Sequence, residues 1–338
     1  MRHRFIYILT GLLLMVICTS CGNTLDDLTE QDPMEVILST GIGEVAGESR
    51  GTGIMTNALT ADLPVSFIRL DKEPGYPADY SGIGYLPATI DKDTKVVSFA
   101  TRQYYNSNGN NSKFVAWYPS VQASSGASTW NAASGQVTFP VLDGTTDILL
   151  SETIEGSKLS QITGTRKIEF KHALTQVRVY VYATSTLAVS SWGKVQSINF
   201  VGKKQTCVAT LPVTTADVPA LPSTSFSGTD DLPASTWNNS AFTDVTLGTT
   251  EPVTQGDTPD APHAYAMFAP HKNTTDKLTI SFKTENGGTQ TITFDYAKLP
   301  LEAGKSYIVK LKFMVGDIEP TATIADWTPA DDEVSEFV

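Results

Sequence analysis

From Leu278 to Tyr296 the chain reads LTISFKTENGGTQTITFDY. Leu278, Ile280 and Phe282 alternate with polar residues, and so do Ile292, Phe294 and Tyr296 on the way back. A period of two is a strand with one apolar face, and it cannot be a helix. Asn286-Gly287-Gly288 between the runs can take the positive φ that a tight hairpin needs. The same period recurs in SYIVKLKF, with Tyr307, Val309, Leu311 and Phe313 on one face and Lys310 and Lys312 on the other. Runs of Val, Ile, Thr, Tyr and Phe, separated by Gly, Pro, Ser, Asn and Asp clusters, continue along the chain. No helical periodicity longer than two turns is present. The expected fold is all-β. Antiparallel sheets with one wet face pair their apolar faces, so the expectation is β-sandwiches. The 338 residues suit one large or two ordinary domains.

One strand region changes phase. In RKIEFKHALTQVRVYVYA the apolar positions are even at Ile168 and Phe170 but odd at Val177, Val179 and Val181. A parity change needs an inserted residue, so a bulge or break falls between His172 and Thr175. His172 at such a bend is expected to bond nearby backbone. The polar stretch 151–166 reads as a linker, and 212–262 as long surface loops of a second domain.

The N-terminus is of another kind. Arg2, His3 and Arg4 precede an apolar stretch from Phe5 to Cys18, interrupted by Thr10 and Gly11, and small Thr19 and Ser20 follow. This is the layout of a secretory signal over residues 1–20. The stretch is shorter than the ~20 residues of a membrane-spanning helix. Cys21 at its border resembles the acylated cysteine of a bacterial lipobox, although Cys18 stands where that pattern prefers Leu. The acidic Asp26, Asp27 and Glu30 behind it resemble the surface-export signal of Bacteroidota lipoproteins. Lys and Arg number 24 against 36 Asp and Glu; without Arg2 and Arg4 the balance is 22 against 36, a net of −14. Such a chain should not bind nucleic acid or anionic lipid through charge. With Cys21 acylated, Cys207 in QTCVATL is the remaining thiol, expected to be a small buried hydrophobe.

Catalytic patterns are missing from the sequence. His3, His172, His263 and His271 have neither helical pairing nor cysteine or carboxylate neighbours at ligand spacing. GIGEVAGESRGTG has no lysine after its last glycine, which argues against a phosphate loop. Asp91 with Asp93, or Asp143 with Asp147, could reach calcium, but two carboxylates read better as solvated loop charges. Sequons begin at Asn110, Asn238 and Asn273. The expectation is no enzyme, no cofactor and no metal.

Four stretches together resemble the fimbrillin, or type V pilin, superfamily of Bacteroidota. They are the signal ending at Cys21; MEVILST followed by Arg50 in GESRGTG; DILLS with IEFKHALTQVRVYVYA; and LPLEAGKSYIVKLKF with TATIADWTPADDEVSEFV. The resemblance implies two antiparallel β-sandwich domains of transthyretin-like topology. It implies a propeptide 21–50, domains 51–160 and 161–338, and an outer-membrane lipoprotein held by lipid on Cys21. A trypsin-like surface protease would cut between Arg50 and Gly51, releasing a strand around Met34 to Gly41. The tail 318–338 of another fimbrial subunit, with Ile324, Trp327, Val334 and Phe337 as its apolar residues, would then fill the gap by strand exchange. Stalk, tip and anchor roles stay open, as does a host or glycan ligand. A surface glycan-binding lipoprotein is the other reading, with Trp117, Tyr118, Trp130, Trp192 and Trp237 as sugar platforms.

Overall fold

The computed structural model describes residues 33–42, 59–70, 84–107, 109–124, 126–162, 166–212, 221–238, 240–254, 259–271, 277–296, 299–326 and 336–337. Strands dominate them. The first group comprises β1 (Leu38–Ile42), β2 (Leu63–Arg69), β3 (Leu86–Ile90), β4 (Val96–Phe99) and β5 (Ser112–Tyr118), then β6 (Thr129–Asn131) and β7 (Gln136–Val141). There follow β8 (Leu149–Ser151), β9 (Ile154–Gly156), β10 (Ile168–His172), β11 (Thr175–Ala183), helix α1 (Thr186–Trp192) and β12 (Val195–Thr210). The last group is β13 (Ser223–Pro233), β14 (Ala264–Phe268), β15 (Lys277–Thr284), β16 (Gly288–Asp295), β17 (Lys305–Met314), β18 (Asp317–Asp326) and β19 (Glu336–Phe337).

The first sheet runs β2-β3-β4-β1-β10-β8-β5-β9. Trp117 of β5 is opposite Ser66 of β2 and also opposite Leu150 of β8. A strand has two edges, so β2 and β8 lie on opposite edges of β5, and the sheet closes into a ring. Inside it Leu38, Val65, Phe67, Ile90, Phe114 and Phe170 are fully buried. The alternate residues of the same strands, Ile68, Val115, Trp117 and Leu150, face outward into a second core.

That second core lies between two more sheets, β14-β11-β17-β18-β19 and β16-β15-β12-β7-β6, with β13 on β12. Phe282 of β15 meets Phe313 of β17 edge-on at 5.8 Å, and Phe200 of β12 meets Phe268 of β14 at 5.1 Å, so the two sheets face each other. The hairpin read from the sequence is present: Leu278 is opposite Phe294 and Ile280 opposite Ile292, and Gly288 takes φ +69°. Tyr307, Val309, Leu311 and Phe313 of β17 are buried as the alternation requires. Pairing is antiparallel except for β1 with β10 and β11 with β17. Cys207 is buried, and burial pushes its thiol up to about 12.

The phase change is a break. β10 ends at His172 in the ring, and β11 starts at Thr175 in the second sandwich. Two strands in different sheets have no common face to keep in phase. The stretch 151–166 is not a plain linker, because β9 lies in it and pairs with β5. Nor is 212–262 all loop: β13 pairs with β12 along most of its length. Residues beyond β13 cover the outer face of β11, where the Tyr180 hydroxyl donates to the Asp260 carbonyl at 3.1 Å. With both faces covered, all nine residues of β11 are buried, Gln176 and Arg178 included.

Candidate strand-exchange site

The segment Met34–Ile42 is threaded between parts of the ring distant from it in sequence. The Val36 amide donates to the Gln103 carbonyl at 2.7 Å, and the Tyr105 amide to the Met34 carbonyl at 2.9 Å. Leu38 and Ser39 then pair with Val97 and Val96 of β4. On the other edge, Thr40, Gly41 and Ile42 run parallel to Ile168, Glu169 and Phe170 of β10. The even-numbered Val36, Leu38, Thr40 and Ile42 point into the ring and are buried, while Ile37 is 60% exposed. Period two therefore places three apolar side chains of this one short segment in the core.

The β3–β4 hairpin shapes one wall of the seat. The Asp91 carboxylate accepts from the Thr94 amide at 2.7 Å, the Thr94 hydroxyl at 2.8 Å and the Asp93 amide at 3.0 Å. The Thr94 amide, then its hydroxyl and the Asp93 amide, hold the Asp91 carboxyl below the usual carboxylate range. Asp93 pairs with Lys92 at 2.6 Å. Lys95 closes the turn at φ +60°, and its carbonyl accepts from the Thr40 amide at 3.0 Å and hydroxyl at 3.1 Å. The turn and the inserted strand are thus bonded directly.

At the other end of the chain, β18 pairs with β17 over ten residues, from Lys305 opposite Asp326 to Met314 opposite Asp317. The core continues past β17, since Ala322 is buried and Ile318 and Ile324 pack against the second core. The reason is the Gly316 turn, at φ +81°, which folds the following segment straight back on β17. Ile324 sits opposite Tyr307, and Phe337 in β19 opposite Ala322. Cys21, Arg50, Gly51, Trp327 and Val334 lie outside the described residues.

Other singled-out residues have structural surroundings. The Nδ1 of His172 and Oδ2 of Asp147 are 2.7 Å apart, with both side chains buried. Asp147 is therefore not a solvated loop charge, and His172 bonds a carboxylate rather than the nearby backbone. The two meet because DILLS and FKHAL lead into and out of β8 and β10, which are neighbours in the ring. Asp143 caps a turn, accepting from the Thr145 and Thr146 amides at 2.8 and 2.9 Å. His263 accepts from the Val181 amide at 3.2 Å, and burial pushes its imidazole below its ordinary value. Trp117 is fully buried and donates to the Ser128 hydroxyl at 3.0 Å. Trp192 is buried and bonds the Met314 carbonyl at 2.6 Å. Tyr118, Trp130 and Trp237 are half-buried, with Arg178 over the Trp237 ring at 5.2 Å. Among the described residues, no cluster of three or more His, Cys, Asp or Glu could hold a metal ion, and no helix is long and apolar enough to cross a membrane.

The molecule is thus an all-β protein in which an N-terminal segment completes a closed sheet. A family model described as fimbrillin-like matches residues 78–327, and the chain belongs to that family. A solved structure of a candidate cell adhesion protein from Bacteroides uniformis has TM-score 0.55 and 16% identity, covering 87% of this chain and 99% of its own. One from Bacteroides ovatus, likewise a candidate cell adhesion protein, has TM-score 0.52 and 15% identity, covering 89% and 99%. At such identities the likeness is one of fold. No curated protein matches the sequence.

Proposed function

We propose that this chain is a structural subunit of a cell-surface fimbria, without enzymatic activity of its own. It is exported as a lipoprotein, anchored in the outer membrane by lipid on Cys21, and cut between Arg50 and Gly51 by a trypsin-like surface protease. The cut frees Met34–Ile42 to leave, and the tail 318–338 of the next subunit takes its seat. The contact is head-to-tail and does not close, so subunits add into a filament.

The observation that carries this reading is the position of β1. It pairs on both edges, yet the strands beside it, β4 and β10, lie far along the chain. Removing it opens one gap in an otherwise closed sheet and uncovers apolar core. A gap with unpaired backbone on both sides accepts an extended segment with apolar residues at every second position. Ile318, Pro320, Ala322 and Ile324 have that spacing. In the subunit as described they lie along β17, so donation requires β18 to leave that edge.

The test is Arg50→Ala expressed in the native host. The expected outcome is a folded, lipidated monomer at the cell surface, with no filament. Wild-type protein should yield polymers whose N-terminus is Gly51. Polymers from Arg50→Ala that start near residue 51, or wild-type polymers that retain Met34–Ile42, would show this reading to be wrong.

A further inference from the structure

A sheet edge is a row of unpaired backbone groups, and a folded chain has to guard it. Among the described residues most edges are guarded. β6 and β9 are three residues long, and β19 is two. β18 carries Pro320 and is partly covered by β19. The outer edge of β14 is occupied, since Tyr265 exchanges backbone bonds with Ser235 and the Met267 amide donates to the Gly144 carbonyl. β13 is long, but its register with β12 shifts between Phe200 and Lys204 and again between Lys204 and Thr206. At that bulge Gly202 of β12 has φ +66° and Gly228 of β13 has φ +130°, and Asp230, Asp231 and Pro233 follow. Bulges, charges and proline are the devices that keep an edge from pairing further.

β16 has none of these guards. It ends its sheet, and among the described residues it pairs with β15 alone. The register runs unbroken over eight pairs, from Lys277 opposite Asp295 to Thr284 opposite Gly288. The strand reads GTQTITFD, without proline and rich in residues that favour strands. Its one charge, Asp295, is held by Lys277 of β15 at 3.2 Å. Alternate residues of β16 turn their N–H and C=O away from β15. Thr289, Thr291 and Thr293 are exposed on the outer face, while Ile292 and Phe294 on the inner face are half-buried against the second core. A further strand at this edge would extend the ladder and cover those two apolar side chains.

We propose that β16 pairs with β16 of a second copy of this chain, antiparallel about a two-fold axis at Ile292. The occupant is a second copy because the edge is complementary to itself. Strands keep their wet and apolar faces aligned only when positions of like parity stand opposite. With Ile292 on the axis, residues 289–295 of one copy lie opposite 295–289 of the other. Thr291 then faces Thr293 of the second copy, Thr289 faces its Asp295, and Ile292 faces its own counterpart. Threonine pairs stabilise such ladders, and no like charges stand opposite. The local charge also permits approach. The chain carries a formal net charge of −12, yet residues 277–295 set Lys277 and Lys283 against Glu285 and Asp295. Charge farther away than a Debye length, ~8 Å in physiological salt, is largely screened. The contact is isologous, so it closes at two subunits. One strand from each subunit makes a small interface, so the dimer dissociates on dilution. The pairing uses neither the seat of β1 nor the tail, and it does not depend on strand exchange.

The test uses the full chain with Arg50→Ala in density-matched detergent, so that strand exchange does not contribute. Sedimentation equilibrium up to about 0.5 mM should show a reversible monomer–dimer equilibrium. The double variant Thr291→Lys, Thr293→Lys sets lysine opposite lysine at exposed positions. It should keep the melting temperature and weaken dimerisation at least about tenfold. Ile292→Cys should form a disulfide-linked dimer on mild oxidation, far faster than Thr138→Cys, which is exposed on β7 of the same sheet. Cys207 is buried and does not compete. The proposal is overturned if the protein stays monomeric over this range, if assemblies grow beyond two, if the double lysine variant dimerises equally well, or if Ile292→Cys cross-links no faster than Thr138→Cys.

Discussion

Asp147 and His172 are each other's buried partners at 2.7 Å, where the chain passes from the ring to the second sandwich. A buried carboxylate that loses its partner, or a buried imidazole that loses its carboxylate, is left facing a low dielectric. Breaking such a pair from one side costs about 3–5 kcal/mol. Asp147→Ala should lower unfolding free energy by roughly 3 kcal/mol in a urea titration; a loss under about 1 kcal/mol would mean that the contact is not structural. Asp91 is the opposite case, an exposed carboxylate stabilised by three donors from its own turn. Its folded-state pKa is depressed, chiefly by the Thr94 amide. Its contribution is therefore fully present above the unfolded carboxylate value and is lost as pH falls through the lower folded value. Asp91→Asn should lower stability at neutral pH and make the acid limb of a pH–stability curve shallower. An acid limb with unchanged slope would contradict this assignment.

At the scale of elements, the tail decides most. Truncation after Asp326 leaves all ten β17–β18 pairs in place. Truncation after Asp317 bares the edge of β17 and uncovers the packing of Ile318, Ala322 and Ile324. We expect the shorter deletion to leave the melting temperature within a few degrees of wild type, and the longer one to lower it and promote association through the open edge. Equal melting curves for the two deletions would mean that β18 adds nothing to its own sheet. These elements also measure how much the sequence disclosed. The β15–β16 hairpin and β17 were legible because each keeps a wet face, so alternation marks the strand and its inward side. β11 was legible as a strand but not as one covered on both faces, since Gln176 and Arg178 keep the alternation while being buried by a distant loop. β18 was read as a tail because Gly316-Asp317 marks a turn and Pro320 cannot donate to a neighbouring strand, although Ile318, Ala322 and Ile324 keep the alternation. The β12 bulge left a signal in Gly202 and Gly228, isolated glycines inside strand-like runs. His172 was placed at the right bend, but its partner was not legible, because nothing local links residues 25 apart.

For the whole molecule the proposed cut at Arg50 raises the question of what would hold the N-terminal segment afterwards. Val36, Leu38 and Ile42 are nearly or fully buried, and burial of each such side chain is worth about 1.5–3 kcal/mol. To this are added backbone bonds to both neighbours, among them those of Val36, Thr40 and Tyr105. The segment is short, so the sum is enough to keep it seated and small enough for a competing strand to match. A cut subunit should therefore keep the fragment 21–50 bound to 51–338 through size-exclusion chromatography, with mass spectrometry finding both pieces in one peak. Adding a synthetic peptide of residues 318–338 should release the fragment and leave the peptide in its place. The exchange should be slow, since the ring opens only as far as the outgoing segment peels away. A peptide with Ile318 and Ile324 both replaced by Asp should fail to compete, because a charge at an inward position would have to enter the core. If cleavage alone sheds the fragment and the body stays folded, the seat does not hold its strand as its burial implies. If the fragment stays while the wild-type peptide is in large excess, the seat accepts no donor from this tail, and another segment must join the subunits.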